Sequence, residues 1–113
     1  GLGDVYKRQV TYKGSIYVNP DAESLQHIGL SADDAAEVMA LLVSSETLQR
    51  RDELLQIAAI RIAPLLDAQE LGKATDDELA RLQAWRLYRV ELNRLDKQAD
   101  FPTSIDWPVA PIQ

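Results

Sequence analysis

Apolar positions change period along this chain. Over Val10–Val18 (VTYKGSIYV) they alternate, which is the two-residue period of a half-buried strand, and Lys13-Gly14 supplies a turn that folds the run into a β-hairpin. Tyr12, Ile16 and Val18 favour strand, and Asn19-Pro20-Asp21 closes the segment with turn residues. A lone two-stranded hairpin is marginal in water, so it must lie on another surface. From Ser31 the period becomes helical. Ala35, Val38, Met39 and Leu42 share one stripe, and Ser31, Asp33 and Asp34 suit a helix start through capping and the dipole. Ser44-Ser45 allows either a break with a fresh cap or a continuous helix. From Glu46 onward Leu48, Leu55, Ala59, Ile62 and Leu66 recur on one face, widened by Leu54, Ala58 and Leu65. Pro64 falls late in this run and predicts a kink, because its ring displaces the carbonyl four residues back. The helix is expected to end near Leu71-Gly72, where glycine takes the left-handed position.

Thr75-Asp76-Asp77-Glu78 has the form of a capping box, with acids in the first turn and Glu three residues after Thr. A third helix is predicted from there to about Gln98. The short Gly-containing loop before it makes the second and third helices an antiparallel hairpin. On a helical wheel, Trp85, Tyr88, Leu92 and Leu95 form one apolar stripe of this helix, and Leu79, Leu87 and Val90 form a second. Arg86, Arg89 and Asn93, with Asp96 nearby, run between them. A helix packed on one neighbour needs one apolar face. The second face therefore covers the first helix or the tail, or it meets another chain through the Arg and aromatic residues favoured at binding hot spots. After it, Pro102, Pro108 and Pro111 hold the tail extended or turned, while Phe101, Ile105 and Trp107 are costly to leave in water and are expected to dock.

Composition narrows the chemistry. The 113 residues suit one domain, and 46% hydrophobic with 27% charged residues is an ordinary globular mixture. Eighteen acids against twelve bases give a net charge of −6, which argues against nonspecific binding to nucleic acid or anionic membranes. Residues 79–97 are locally +3, yet their flanks are acidic and no groove-reading motif is present. The absence of cysteine removes disulfides, thiolate chemistry and zinc knuckles, and fits a reducing compartment. No run approaches the roughly 18 apolar residues of a membrane span, and the start does not read as a signal peptide, so a cytoplasmic address is expected. His27, the one histidine, has no Ser–Asp partners at a recognisable spacing and reads as a structural surface or half-buried residue. Asp33-Asp34 and Asp76-Asp77 are explained by helix capping and match no calcium loop. No catalytic, cofactor or metal site is expected. Residues 1–9 (GLGDVYKRQ) begin without Met and differ in character from the rest of the chain; they read as an adapter-derived scar on a fragment, the alternative being a frayed native strand.

The third helix and tail carry a resemblance. Leu82–Asp96 (LQAWRLYRVELNRLD) followed by Ile105-Asp106-Trp107-Pro108 strongly resembles the C-terminal region of the phage tail fibre assembly protein family, above all in its W-x-x-Y-R-V-x-L-N-R core and closing D-W-P. Arg51-Asp52 through Ile62-Ala63-Pro64-Leu65-Leu66-Asp67-Ala68, with Leu71-Gly72-Lys73-Ala74-Thr75, is similar to that family's first hairpin helix and its turn. The resemblance covers about residues 50–111. Residues 10–45 do not clearly match the family's N-terminal part, which is usually longer and β-containing. The resemblance implies an assembly chaperone, without cofactor or covalent chemistry. Such proteins bind the C-terminal part of a tail fibre protein and promote its folding and trimerisation, in the host cytoplasm of an infecting phage or a prophage. Some stay at the fibre tip as structural virion components. The Phe101–Pro108 ending also resembles tail assembly chaperones acting on another tail component, and the helical hairpin favours the fibre-associated family. A regulatory or toxin-neutralising small protein is a further class, requiring a different partner encoded nearby.

The expected fold is therefore mainly α. A scar at 1–9 precedes a short β-hairpin and turn region at 10–30, followed by a helical domain at 31–113. That domain comprises a short helix, an antiparallel hairpin of coiled-coil type and an extended Pro-rich tail at 99–113. The candidate partner-binding or tail-docking residues are Trp85, Arg86, Tyr88, Arg89, Asn93, Arg94, Asp106 and Trp107. Trp85, Tyr88 and Leu92 are expected in the hairpin core or beneath Trp107, and Arg86, Arg89 and Asn93 against the tail or the fibre. Asp106 is the expected salt-bridge partner within the chain. The expected partner is a tail fibre protein, with no nucleic acid, no membrane and an oligomeric state left open.

Overall fold

A computed structural model describes residues 8–112, which form two compact units meeting in sequence at Thr47 and Leu48. In the N-terminal unit, strands β1 (Gln9–Tyr12) and β2 (Ser15–Val18) pair antiparallel with Gln9 opposite Val18 and Tyr12 opposite Ser15. Lys13 and Gly14 both take positive φ, 49° and 83°, the conformation that lets a two-residue turn match the twist of its strands. The Asn19 amide donates to the Arg8 carbonyl at 2.6 Å and extends the ladder by one pair. Pairing thus begins at Arg8 and Gln9, inside the segment that reads as a scar; the rest of that segment, residues 1–7, lies outside the described residues. Val10, on one face of the hairpin, is buried with Leu25, Ala35, Val38 and Leu42, and Tyr12, Tyr17, Leu30 and Met39 pack against them.

A helix not anticipated in the sequence, α1 (Ala22–His27), follows the hairpin. Its start is legible in the sequence as a turn only. The Asp21 carboxylate accepts from both the Ser24 amide and the Ser24 hydroxyl at 2.9 Å, capping a short helix that buries Leu25. Gly29 ends it at φ 107°, with the Leu30 amide reaching the Leu25 carbonyl at 3.0 Å. His27 is exposed.

Helix α2 (Ala32–Glu70) is continuous, without a break at Ser44-Ser45. Two serines cost a helix only about a few tenths of a kcal/mol each, and the flanking Leu and Glu residues are good helix formers. Its first turn is capped by Ser31, whose Oγ accepts from the Asp34 amide at 3.0 Å. Helical structure also continues through Pro64. Proline forfeits the amide that would reach the Ile60 carbonyl. Both residues lie on the exposed side of the helix.

In the C-terminal unit, Leu48–Glu70 of α2 and helix α3 (Asp76–Asn93) form the antiparallel hairpin. Its core is Ala58, Ile62 and Leu65 from α2 and Leu82, Trp85, Tyr88 and Leu92 from α3, with Leu54, Leu55 and Leu66 partly buried around them. The buried face of α2 is rotated slightly from the expected one: Ala58 is fully buried whereas Ala59 is exposed. Between the helices Gly72 takes φ 69°, the Gly72 amide donates to the Gln69 carbonyl and the Lys73 amide to the Ala68 carbonyl, so these carbonyls at the end of α2 are satisfied. No helix among the described residues is long and apolar enough to cross a membrane.

Candidate partner-binding face

Helix α3 begins as its sequence requires. Thr75 Oγ1 accepts from the Glu78 amide at 3.1 Å, and Glu78 Oε1 accepts from the Thr75 amide at 3.0 Å. The bond from the Thr75 amide is the main cause that holds the Glu78 carboxyl below the usual carboxylate range. With this start fixed, the phase of every later side chain follows. Trp85, Tyr88 and Leu92 are turned inward, each no more than 4% exposed. Trp85 and Tyr88 meet edge to face, with ring centroids 5.7 Å apart and planes at 78°.

The helix stops at Asn93 rather than near Gln98. Arg94 leaves helical geometry at φ −102°, ψ 8°, and Leu95–Lys97 tighten into a 3₁₀ turn that keeps Leu95 fully buried. Asn93 contributes to this ending, since its Nδ2 donates to the Arg89 carbonyl at 3.0 Å, close to where helix termination leaves carbonyls without an amide. Asn93 thus bonds within its own helix, not to the tail.

Residues 99–104 turn, and 105–112 carry no regular secondary structure. Trp107 packs against the hairpin core and is partly buried. What holds the tail there differs from the expectation. Asp106 makes no ion pair with Arg86, Arg89 or Arg94 among the described residues, and it is exposed. Instead Gln98 Nε2 donates to the Asp106 carbonyl at 2.8 Å, and the Asp106 amide donates to Gln98 Oε1 at 2.9 Å. The tail is held by its main chain. Gln98 escapes a reading of the sequence because a lone glutamine at a helix end carries no signal of such a bond.

The second apolar stripe of α3 is left uncovered. Leu87 is 60% and Val90 42% exposed, with Leu79 half-buried before them. Arg86 and Arg89 are half-buried and Asn93 and Arg94 exposed along the same side. Of the eight candidate residues, then, Trp85, Tyr88 and Trp107 belong to the core and its tail contact. Arg86, Arg89 and Arg94 flank an open aliphatic strip. Among the described residues no group of three His, Asp or Glu side chains is placed to hold a metal ion.

The N-terminal unit has its own polar cluster. The Tyr12 hydroxyl donates to Asp34 Oδ1 at 2.8 Å, and Lys13 Nζ lies 3.4 Å from the same oxygen. The tyrosine bond is the main cause that holds the Asp34 carboxyl low, and it raises the Tyr12 phenol in turn. Arg8 grips Glu46 through two nitrogens at 2.9 and 3.0 Å.

Residues 29–112 match the family described as Caudovirales tail fibre assembly protein, lambda gpK. This match begins well before Arg50 and takes in residues 29–45, where the sequence alone shows no clear resemblance. Protein TfaD of Escherichia coli (strain K12) is 35% identical over 97 residues, covering 86% of this chain and 51% of its own length. A prophage tail fiber assembly protein homolog, TfaR, of the same strain is 35% identical over 95 residues (84% and 49%). The tail fiber assembly protein of Escherichia phage lambda is 34% identical over 96 residues (85% and 48%). The chain spans about half the length of these relatives. No solved structure matches it.

Proposed function

The chain belongs to the tail fibre assembly protein family, and from that premise we propose that it is an assembly chaperone that binds the C-terminal part of a phage tail fibre protein and promotes its folding and trimerisation. The observation that carries this reading is the extent of the match, which takes in the whole helical hairpin and its docked tail. Relatives over this stretch are named for tail fibre assembly. The physical demand on such a helper is plain. A trimeric fibre end depends on contacts between distant residues and between chains, which form slowly and leave strand edges and apolar side chains open meanwhile. A small helical protein with an uncovered aliphatic strip can shield such surface and release it as the chains meet. In this reading the chain acts in the host cytoplasm and performs no covalent chemistry.

The test is co-expression with the tail fibre gene beside it in its source genome, measuring soluble trimeric fibre with and without the chain. A rise in soluble trimer is expected. An unchanged yield with the folded chain in excess overturns the reading. The fraction of fibre that keeps the chain bound after purification distinguishes a transient helper from a lasting fibre component.

A further inference from the structure

The arginines of this protein are unevenly partnered. Arg8 pairs with Glu46, Arg50 with Glu53, Arg51 with Asp52 and Arg81 with Asp77. Arg61 on α2 has no ion-pair partner among the described residues, and neither do Arg86, Arg89 and Arg94, which cluster within the last turns and cap of α3, where Glu91 pairs with none of them. The chain is not short of acids, with 18 against 12 bases. A helix C-terminus favours cations within its last turn, which accounts for Arg94. It does not account for Leu87 and Val90, which stand 60% and 42% exposed three residues apart, with Val90 four residues from both Arg86 and Arg94. An exposed aliphatic pair with two arginines one turn to either side of Val90 makes a surface of definite chemistry.

We propose that this face of α3, formed by Arg86, Leu87, Val90 and Arg94 with Arg89 at its edge, docks a client segment in which carboxylates flank exposed apolar side chains. The proposal rests on the assembly reading above and names the chemistry of the segment that reading requires. Charge complementarity is the argument for the occupant. Guanidinium groups grip carboxylates through paired parallel hydrogen bonds, and the local +3 charge within a protein of net charge −6 draws acidic segments to this face rather than elsewhere. Leu87 and Val90 provide the apolar contact that gives the bound segment a fixed position.

The probe is a fluorescein-labelled peptide of alternating Asp and Leu, titrated against the isotopically labelled chain, beside the same peptide with Asn or Lys in place of Asp and a thymidine oligonucleotide. The Asp peptide is expected to bind at least about tenfold tighter than either substituted peptide, to weaken as salt is raised, and to shift amide resonances of residues 83–94. Arg86→Glu with Arg94→Glu should abolish that preference. Leu87→Ser should weaken binding while leaving the salt dependence in place. Equal affinity for the Asp and Asn peptides, an unaffected charge-reversed variant of unchanged helicity, or equally tight oligonucleotide binding overturns the proposal. In co-expression, a charge-reversed variant that still raises soluble trimeric fibre defeats this surface and leaves the assembly reading standing. A wild-type chain that fails there defeats the assembly reading, while the peptide titration still decides the chemistry of the face.

Discussion

The side-chain amide of Gln98 exchanges two hydrogen bonds with the main chain of Asp106, at 2.8 and 2.9 Å, as a neighbouring strand would. Each such bond is worth about 0.5–1.5 kcal/mol net, and together they bring Trp107 onto the hairpin core. Gln98→Ala should cost about 1–2 kcal/mol and raise hydrogen exchange at the Asp106 amide. Gln98→Glu keeps the acceptor and loses the donor, so it should fall between the two. An Asp106 amide that exchanges no faster in Gln98→Ala would show that the tail is held by Trp107 alone.

The two apolar stripes of α3 should respond oppositely to truncation. Trp85 is 3% exposed and braced by Tyr88, so Trp85→Ala should lower unfolding free energy by about 3–5 kcal/mol. Leu87→Ala removes a mostly solvated side chain and should stay within about 0.5 kcal/mol of the parent. Urea unfolding followed by circular dichroism measures both. A large loss for Leu87→Ala would place it in a contact that its exposure denies.

The capping box sets the start of α3 through side-chain bonds at 3.0 and 3.1 Å. Thr75→Ala should destabilise by about 1 kcal/mol, and Thr75→Ser should restore most of it. The same pair of measurements in urea tests this.

Acid should destabilise the fold. The carboxyls of Asp21, Asp34 and Glu78 are all held low, chiefly by backbone bonds at Asp21 and Glu78 and by the Tyr12 hydroxyl at Asp34. A carboxyl whose folded value lies below its unfolded value adds stability above the unfolded value and loses it as pH falls through the folded one. The urea midpoint should therefore be flat near neutrality and drop between about pH 5 and pH 2. Tyr12→Phe removes the principal donor to Asp34, so the Asp34 carboxyl should titrate higher in a carbon-detected NMR titration. An unmoved Asp34 would assign its low value to Lys13 and Ser31 instead.

The helical hairpin is legible in the sequence because its signals are local and redundant: period, a capping box and a left-handed glycine all agree between Glu46 and Leu92. Trp85, Tyr88, Leu92 and Leu95 fall inward as the wheel requires. The hidden parts depend on single polar side chains whose roles arise only in three dimensions. Asp21 caps a six-residue helix, too short for its pattern to announce it. Gln98 binds a main chain eight residues away. Asp106 bears a charge that suggests a salt bridge, whereas its backbone makes the contact. The wheel finds the second stripe of α3, but a wheel reports which residues share a side and not whether anything covers it.

The joints of the C-terminal unit are short-range: Thr75 to Glu78, Ala68 to Lys73, and Gln98 to Asp106 at a separation of eight. Closing such small loops takes little chain entropy, and topologies of this kind fold in microseconds to milliseconds. That speed has a consequence in time rather than in space. A unit joined by neighbours in sequence re-forms quickly after a transient opening, because little chain has to be gathered before its contacts return.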